Sequence, residues 1–189
     1  MSTTQYDALR SGIRECADAV TATVAGVRDE QLQEPTPCAK FTVADLVEHL
    51  TETLLTAERA ARREAPSDEA PAGSPSALVD AVGRTAAAWS DAAAYEGTTK
   101  FGEWEMPAVV VASITLQELA VHGWDLARAT GRPFSLGEDT GRLVLDAVEQ
   151  IADQVRGNGG YGPPVAVPAD APAFRRALAT SGRDPEWNS

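Results

Sequence analysis

The sequence predicts an all-α protein, a four-helix bundle with an additional helix and an irregular C-terminal segment. Three observations predict it. Apolar residues return every three or four positions through most of the chain, the period of one helix face. Segments rich in proline and glycine separate those stretches. No long run alternates apolar and polar residues as a half-buried strand does. At 189 residues the chain suits a single domain over positions 1–189, burying about 70% of its unfolded surface.

The first helix is expected over Thr4–Asp29, with Leu9, Ile13, Cys16, Val20, Val24 and Val27 on one face. Thr4 and Asp7 supply a cap and an acidic first turn, and Pro35 and Pro37 end the segment. A second helix starts at its cap Thr42, with Asp45 at the third helical position. It runs to about Glu64 along Val43, Leu46, Val47, Leu50 and Leu54. Ala65–Ser76, with three prolines in twelve residues, reads as a linker. The third helix covers Pro75–Ala94, and Glu96–Met106 is a loop holding Trp104.

The fourth helix spans Pro107–Thr130 and stops at Gly131-Arg132-Pro133. Its start at Val109–Ala112 would also suit a strand, but the long apolar continuation favours one helix. Arg128 and Arg132 fit the negative end of its dipole. The fifth helix, Gly137–Arg156, opens with Glu138 and Asp139 at its positive end. An irregular, glycine- and proline-rich stretch follows, and a short helix near Phe174–Thr180 closes the chain. The segments Ala65–Ser76, Glu96–Met106 and Gly157–Ala173 are expected to shape a pocket, with Trp104 as one wall.

Composition removes several partners. A formal charge of -12 opposes nucleic-acid binding, which depends on Lys and Arg displacing counterions, and opposes anionic lipid equally. No segment reaches the roughly 18 apolar residues of a membrane span, and the N-terminus lacks the basic and apolar regions of a signal peptide. Two cysteines, Cys16 and Cys38, make no disulfide framework or zinc-finger spacing. The expectation is a cytoplasmic protein with reduced thiols. Phosphate loops, Rossmann fingerprints, GxSxG, HExxH and EF-hand motifs are all missing.

The chain has two histidines, and their placement is informative. His49 lies about 60° around the second helix from Leu46, beside the apolar stripe. On the fourth helix, Val111, Ile114, Glu118, His122, Asp125 and Ala129 fall in one narrow sector, which should face inward. Three ionisable groups on an inward face cost several kcal/mol unless paired or ligated. Taken singly, His49 is a satisfied core histidine and Glu118–His122 an i,i+4 pair. Together they make a metal centre a third reading: two imidazoles and a carboxylate suit Zn²⁺, Ni²⁺ or Fe²⁺. Asp125 is placed to hydrogen-bond an imidazole or to move a proton.

Two motifs carry a family resemblance. Pro35-Thr-Pro-Cys38-Ala-Lys-Phe41-Thr-Val43-Ala-Asp-Leu-Val-Glu-His49-Leu resembles a TPCxxWxVxxLxxHL segment, with Phe41 where the family has tryptophan. Glu118-Leu-Ala-Val-His122-Gly-Trp-Asp125-Leu-Ala-Arg-Ala-Thr is similar to ExxxHxWDLARATG. These segments belong to small DinB-like proteins of actinobacteria, relatives of the N-terminal metal-binding domain of mycothiol-dependent maleylpyruvate isomerase. The resemblance implies a DinB-type four-helix bundle and places the family's metal ligands on His49, Glu118 and His122. The isomerase carries a second C-terminal domain for which this sequence shows no counterpart, so chemistry other than maleylpyruvate isomerisation is expected.

The resemblance implies a metal-dependent enzyme that uses a low-molecular-weight thiol, mycothiol, to transfer to or isomerise an electrophilic small molecule. Zinc is the first metal, with Asp125 as a catalytic assistant. Two alternatives stand: a hydrolase using a metal-bound water, and a non-catalytic metal- or ligand-binding protein. A homodimer fits an exposed bundle.

Overall fold

The computed structural model describes residues 3–65 and 73–188. It is mostly helical, with α1 (Thr3–Val24), α2 (Val43–Arg62), α3 (Pro75–Ala88), α4 (Ala108–Ala129), α5 (Glu138–Gly157) and α6 (Ala173–Thr180). α1 packs on α3 and α4, and α2 also packs on α3 and α4, so the four close into a DinB-type bundle. α5 lies against α1 and α4, and α6 rests on α5. The core fills the space between them with Ile13, Val20, Leu46, Leu50, Leu54, Leu116 and Leu119, each at most 1% exposed. Those on α1 and α2 are the periodic positions that the sequence marks, while Leu116 and Leu119 lie on other sides of α4; their burial drives the packing.

Three helix boundaries fall close to expectation, and the residues at them show why. Thr42 accepts from the Asp45 N–H at 3.3 Å while Asp45 accepts from the Thr42 N–H at 2.9 Å, a reciprocal box that starts α2. Ser74 caps α3 ahead of Pro75. Gly131, at φ +69°, turns the chain after α4. The expected linker falls largely at positions 66–72, outside the described residues.

Three expectations are corrected. The first helix ends at Val24 rather than Asp29. Gly26 turns away there, and its carbonyl accepts from Arg132 Nη2 at 2.6 Å. A Cβ on Gly26 would sit inside the Arg132 guanidinium, so only glycine fits beneath the arginine. Arg132 thus bonds the turn after α1, while Arg128, in the last turn of α4 as expected, donates from Nε to the Trp187 carbonyl at 3.0 Å.

The third helix ends at Ala88, not Ala94. Asp91 accepts from the Ala93 N–H at 2.9 Å and starts a separate 3-10 turn, Ala92–Tyr95, whose Tyr95 hydroxyl donates to the Trp89 carbonyl at 2.8 Å. The expected loop at Glu96–Met106 is a β-hairpin, with β1 (Thr98–Phe101) paired antiparallel to β2 (Trp104–Pro107). Gly102, at φ +60°, supplies the left-handed backbone that its two-residue turn needs. The Thr99 hydroxyl donates to the Ala60 carbonyl at 2.6 Å and ties the hairpin to α2. No helix among the described residues is long and apolar enough to cross a membrane.

Candidate metal centre

Facing turns of α2 and α4 build the site. The Thr42 cap sets the start of α2 and with it the place of His49, two turns on. Before that helix, the Thr36 hydroxyl lies between the carbonyls of Cys38 (3.0 Å) and Phe41 (2.9 Å) and holds the loop. The loop lays the Phe41 ring on His49, with centroids 5.0 Å apart and planes 23° from parallel. α4 contributes Glu118 and His122 one turn apart, as the helical period requires.

Glu118 Oε2 stands 3.5 Å from His49 Nε2 and 3.5 Å from His122 Nε2. One ligand atom from each of the three residues lies within 4.8 Å of the other two. The imidazoles meet at 86°, so the three donors converge from different directions. Oε1 of Glu118 accepts from Gln117 Nε2 at 3.0 Å, whereas Oε2 is buried with no hydrogen-bond partner. A buried carboxylate oxygen left unpartnered costs free energy. This oxygen faces two imidazole nitrogens, an arrangement that a divalent cation would satisfy, and the two-nitrogen, one-oxygen donor set suits such an ion. His49 is the most open of the three at 35% side-chain exposure, against 16% for Glu118 and 8% for His122. A small molecule would therefore reach the cluster from the His49 side.

Electrostatics favour the carboxylate charge. Burial works to raise the Glu118 pKa, but His122 and His49 outweigh it and hold the carboxyl at about 2. The close Glu118 carboxylate in turn raises the His49 imidazole, against the opposing effect of burial.

Behind the cluster lies a buried relay. His122 Nδ1 is 3.0 Å from Asp125 Oδ2. With Nδ1 committed to Asp125, Nε2 is the ring nitrogen of His122 that faces Glu118. Asp125 is fully buried and accepts from Arg183 Nη2 at 3.0 Å, while Arg183 Nη1 donates to the Ser181 carbonyl at 3.0 Å. The Arg183 guanidinium also lies 5.6 Å from the centre of the Tyr161 ring.

The structure brings His49, Glu118 and His122 together and sets Asp125 on the far side of His122. Sequence reasoning missed Arg183 and Tyr161. Both sit in the irregular C-terminal region, where no helical period relates them to α4. The cues were large side chains among glycines, in Gly160-Tyr161-Gly162 and Gly182-Arg183, and the likeness of the tail Gly182-Arg-Asp-Pro-Glu-Trp187 to the family's ending, which assigned Arg183 no role. Of the three segments expected to shape a pocket, the last contributes Gly159–Gly162 to a cavity beside the site. Trp104, expected as a wall, stands 73% exposed on the hairpin.

A family model described as the mycothiol maleylpyruvate isomerase N-terminal domain matches residues 13–127, a span that includes His49, Glu118, His122 and Asp125. Two uncharacterized proteins, from two strains of Mycobacterium tuberculosis, are each 33% identical over 147 residues, covering 75% of this chain and 79% of theirs. The crystal structure of the mycothiol-dependent maleylpyruvate isomerase is similar at a TM-score of 0.61 and 16% identity, over 91% of this chain and 81% of that one. A mutant of that enzyme gives 0.62 and 15% over the same shares. At these identities the likeness to the solved structures is one of fold.

Proposed function

We propose a function that starts from kinship: the chain belongs to the mycothiol maleylpyruvate isomerase N-terminal domain family. The protein is a metal-dependent enzyme that uses a low-molecular-weight thiol to transfer to or isomerise an electrophilic small molecule. His49, Glu118 and His122 hold a divalent cation, Zn²⁺ before Ni²⁺ or Fe²⁺, because two imidazoles and one carboxylate leave coordination positions open for chemistry. The observation that carries this reading is the buried, unpartnered Glu118 Oε2 set 3.5 Å from both imidazole nitrogens. The thiol is taken to be mycothiol because the similar solved enzyme is mycothiol-dependent.

When bound, the cation supplies Lewis-acid chemistry that lowers the pKa of a thiol brought to it. The chain's own residues prepare that meeting. Asp125 is a positioning residue: its carboxylate is committed to His122 and Arg183, and it fixes which imidazole nitrogen faces Glu118. Phe41 stacks on one face of His49 and helps to fix its ring plane. The chain offers no activated thiol of its own, since burial pushes the pKa of both Cys16 and Cys38 up. Both cysteines are free, which fits a cytoplasmic protein, and the reading treats residues 1–189 as one domain.

The test is turnover of a small electrophile by purified protein, with Zn²⁺ and thiol supplied separately and together. Turnover that needs both supports the proposal. Turnover without thiol overturns the thiol role in favour of hydrolysis, and no turnover under any condition favours a binding protein.

A further inference from the structure

Beside the metal centre three loops meet around a cavity of about 160 Å³, lined by residues that include Cys38, Lys40, Gly159, Tyr161, Gly182 and Arg183. Packing holds its walls in place. A Cβ on Gly182 would come within 2.7 Å of the Gly162 backbone, so two of the loops are pressed together. A Cβ on Gly159 would come within 3.4 Å of Lys40 Nζ, so the lysine reaches across the glycine turn.

The chemistry of the lining is one-sided. In a chain with 28 acidic residues, no Asp or Glu lines this cavity, whereas both Lys40 and Arg183 do. Lys40, one of two lysines in the sequence, has no ion-pair partner among the described residues. Tyr161 is 8% exposed, and its buried hydroxyl has no hydrogen-bond partner. Arg183 engages Asp125 and Ser181 through three of the five N–H bonds of a guanidinium, which leaves two. The cavity is also next to the chemistry. Arg183 bonds the Asp125 that holds His122, and Tyr161 lies near enough to Glu118 to feel its charge.

We propose that this cavity is a carboxylate subsite: Lys40 and the Tyr161 hydroxyl, backed by Arg183, bind the carboxylate of the small molecule on which the metal centre acts. A buried, unpartnered donor beside two cations is costly when empty and is satisfied by an anionic oxygen. The volume admits a carboxylate with a few carbons attached. This deepens the proposed function and rests on it only in assigning the carboxylate to the electrophile.

The experiment is a titration of ¹⁵N-labelled full-length protein with succinate, a dicarboxylate that cannot react with a thiol, followed by amide chemical shifts with and without chelator. Expected are saturable shifts confined to Cys38–Lys40, Gly159–Gly162 and Ser181–Arg183, unmatched by succinamide. Lys40→Gln should weaken binding about tenfold, the loss of one charge-assisted hydrogen bond, and Tyr161→Phe about fivefold. Shifts scattered over the surface, equal affinity for sulfate, or unchanged affinity in both variants would each overturn the subsite. Metal content is measured on the same samples. A protein that binds succinate here but no metal would retain the subsite and lose the metal-dependent function.

Discussion

Asp125 and Arg183, 58 residues apart in sequence, meet in the interior with Oδ2 and Nη2 3.0 Å apart. Both side chains are buried, at 0% and 4% exposure. The pair joins the C-terminal segment to α4, which carries two of the three candidate ligands, and through Asp125 it orients His122.

Breaking this pair from one side should be expensive. Arg183→Met strands a buried carboxylate and is expected to cost about 3–5 kcal/mol of stability. The double variant Asp125→Asn/Arg183→Met should cost less than the sum of the single variants, because no charge is stranded. Urea unfolding of the wild type and the three variants measures this coupling. Strictly additive losses would show that the pair does not act as a unit.

The ionisable cluster should leave a mark on the pH dependence of the metal-free protein. Glu118 is held at about 2 against an ordinary 4.5, so its contribution is complete above 4.5 and is lost as pH falls towards 2. His49 is raised above its ordinary 6.5, so its contribution is complete below 6.5 and is lost as pH rises through the folded value. In chelator-treated protein the two overlap between 4.5 and 6.5. Thermal melts of wild type and Glu118→Gln should differ most in that window. A gap that is constant with pH would be evidence against this electrostatic arrangement.

Much of this was legible in the sequence, and the reason is periodicity. Helical spacing alone places Glu118, His122 and Asp125 on one inward face, and the Thr42–Asp45 box marks the start of α2. Three features escaped. The hairpin is short, with four residues in each strand, so Glu96–Met106 reads as a loop even though Gly102 suits its two-residue turn. The turn after α1 is bonded by Arg132, a residue 106 positions from Gly26, and no local pattern reveals such a contact. Arg183 and Tyr161 lie in irregular chain, where burial cannot be inferred from spacing. Local signals found the elements; the contacts that finish the site are long-range.

The cap of α2 gives a mild test of how local signals support the site. Thr42→Ala removes the side chain that accepts the Asp45 N–H and should lower stability by about 1 kcal/mol. Circular dichroism should show an unchanged helical content, with an earlier denaturation midpoint. An unchanged midpoint would mean that the cap contributes nothing measurable.

Close packing beside His122 gives a sharper one. A Cβ on Gly123 would lie 2.6 Å from Val20 Cγ2 and 2.8 Å from Phe134 Cε2. Gly123→Ala therefore overpacks the contact of α1 with α4 and should cost about 1–3 kcal/mol, in spite of alanine's better helix propensity. Denaturant unfolding decides the sign, and a more stable variant would show that α1 moves aside without strain.

The proposed function stands or falls on whether the three residues hold an ion. Elemental analysis of the purified protein, before and after reconstitution with Zn²⁺, measures this against His49→Ala and His122→Ala. One divalent ion per wild-type chain, lost in folded samples of both variants, is the predicted result. A wild-type protein that stays metal-free after reconstitution would leave His49, Glu118 and His122 as a buried polar cluster and remove the basis for metal-dependent chemistry.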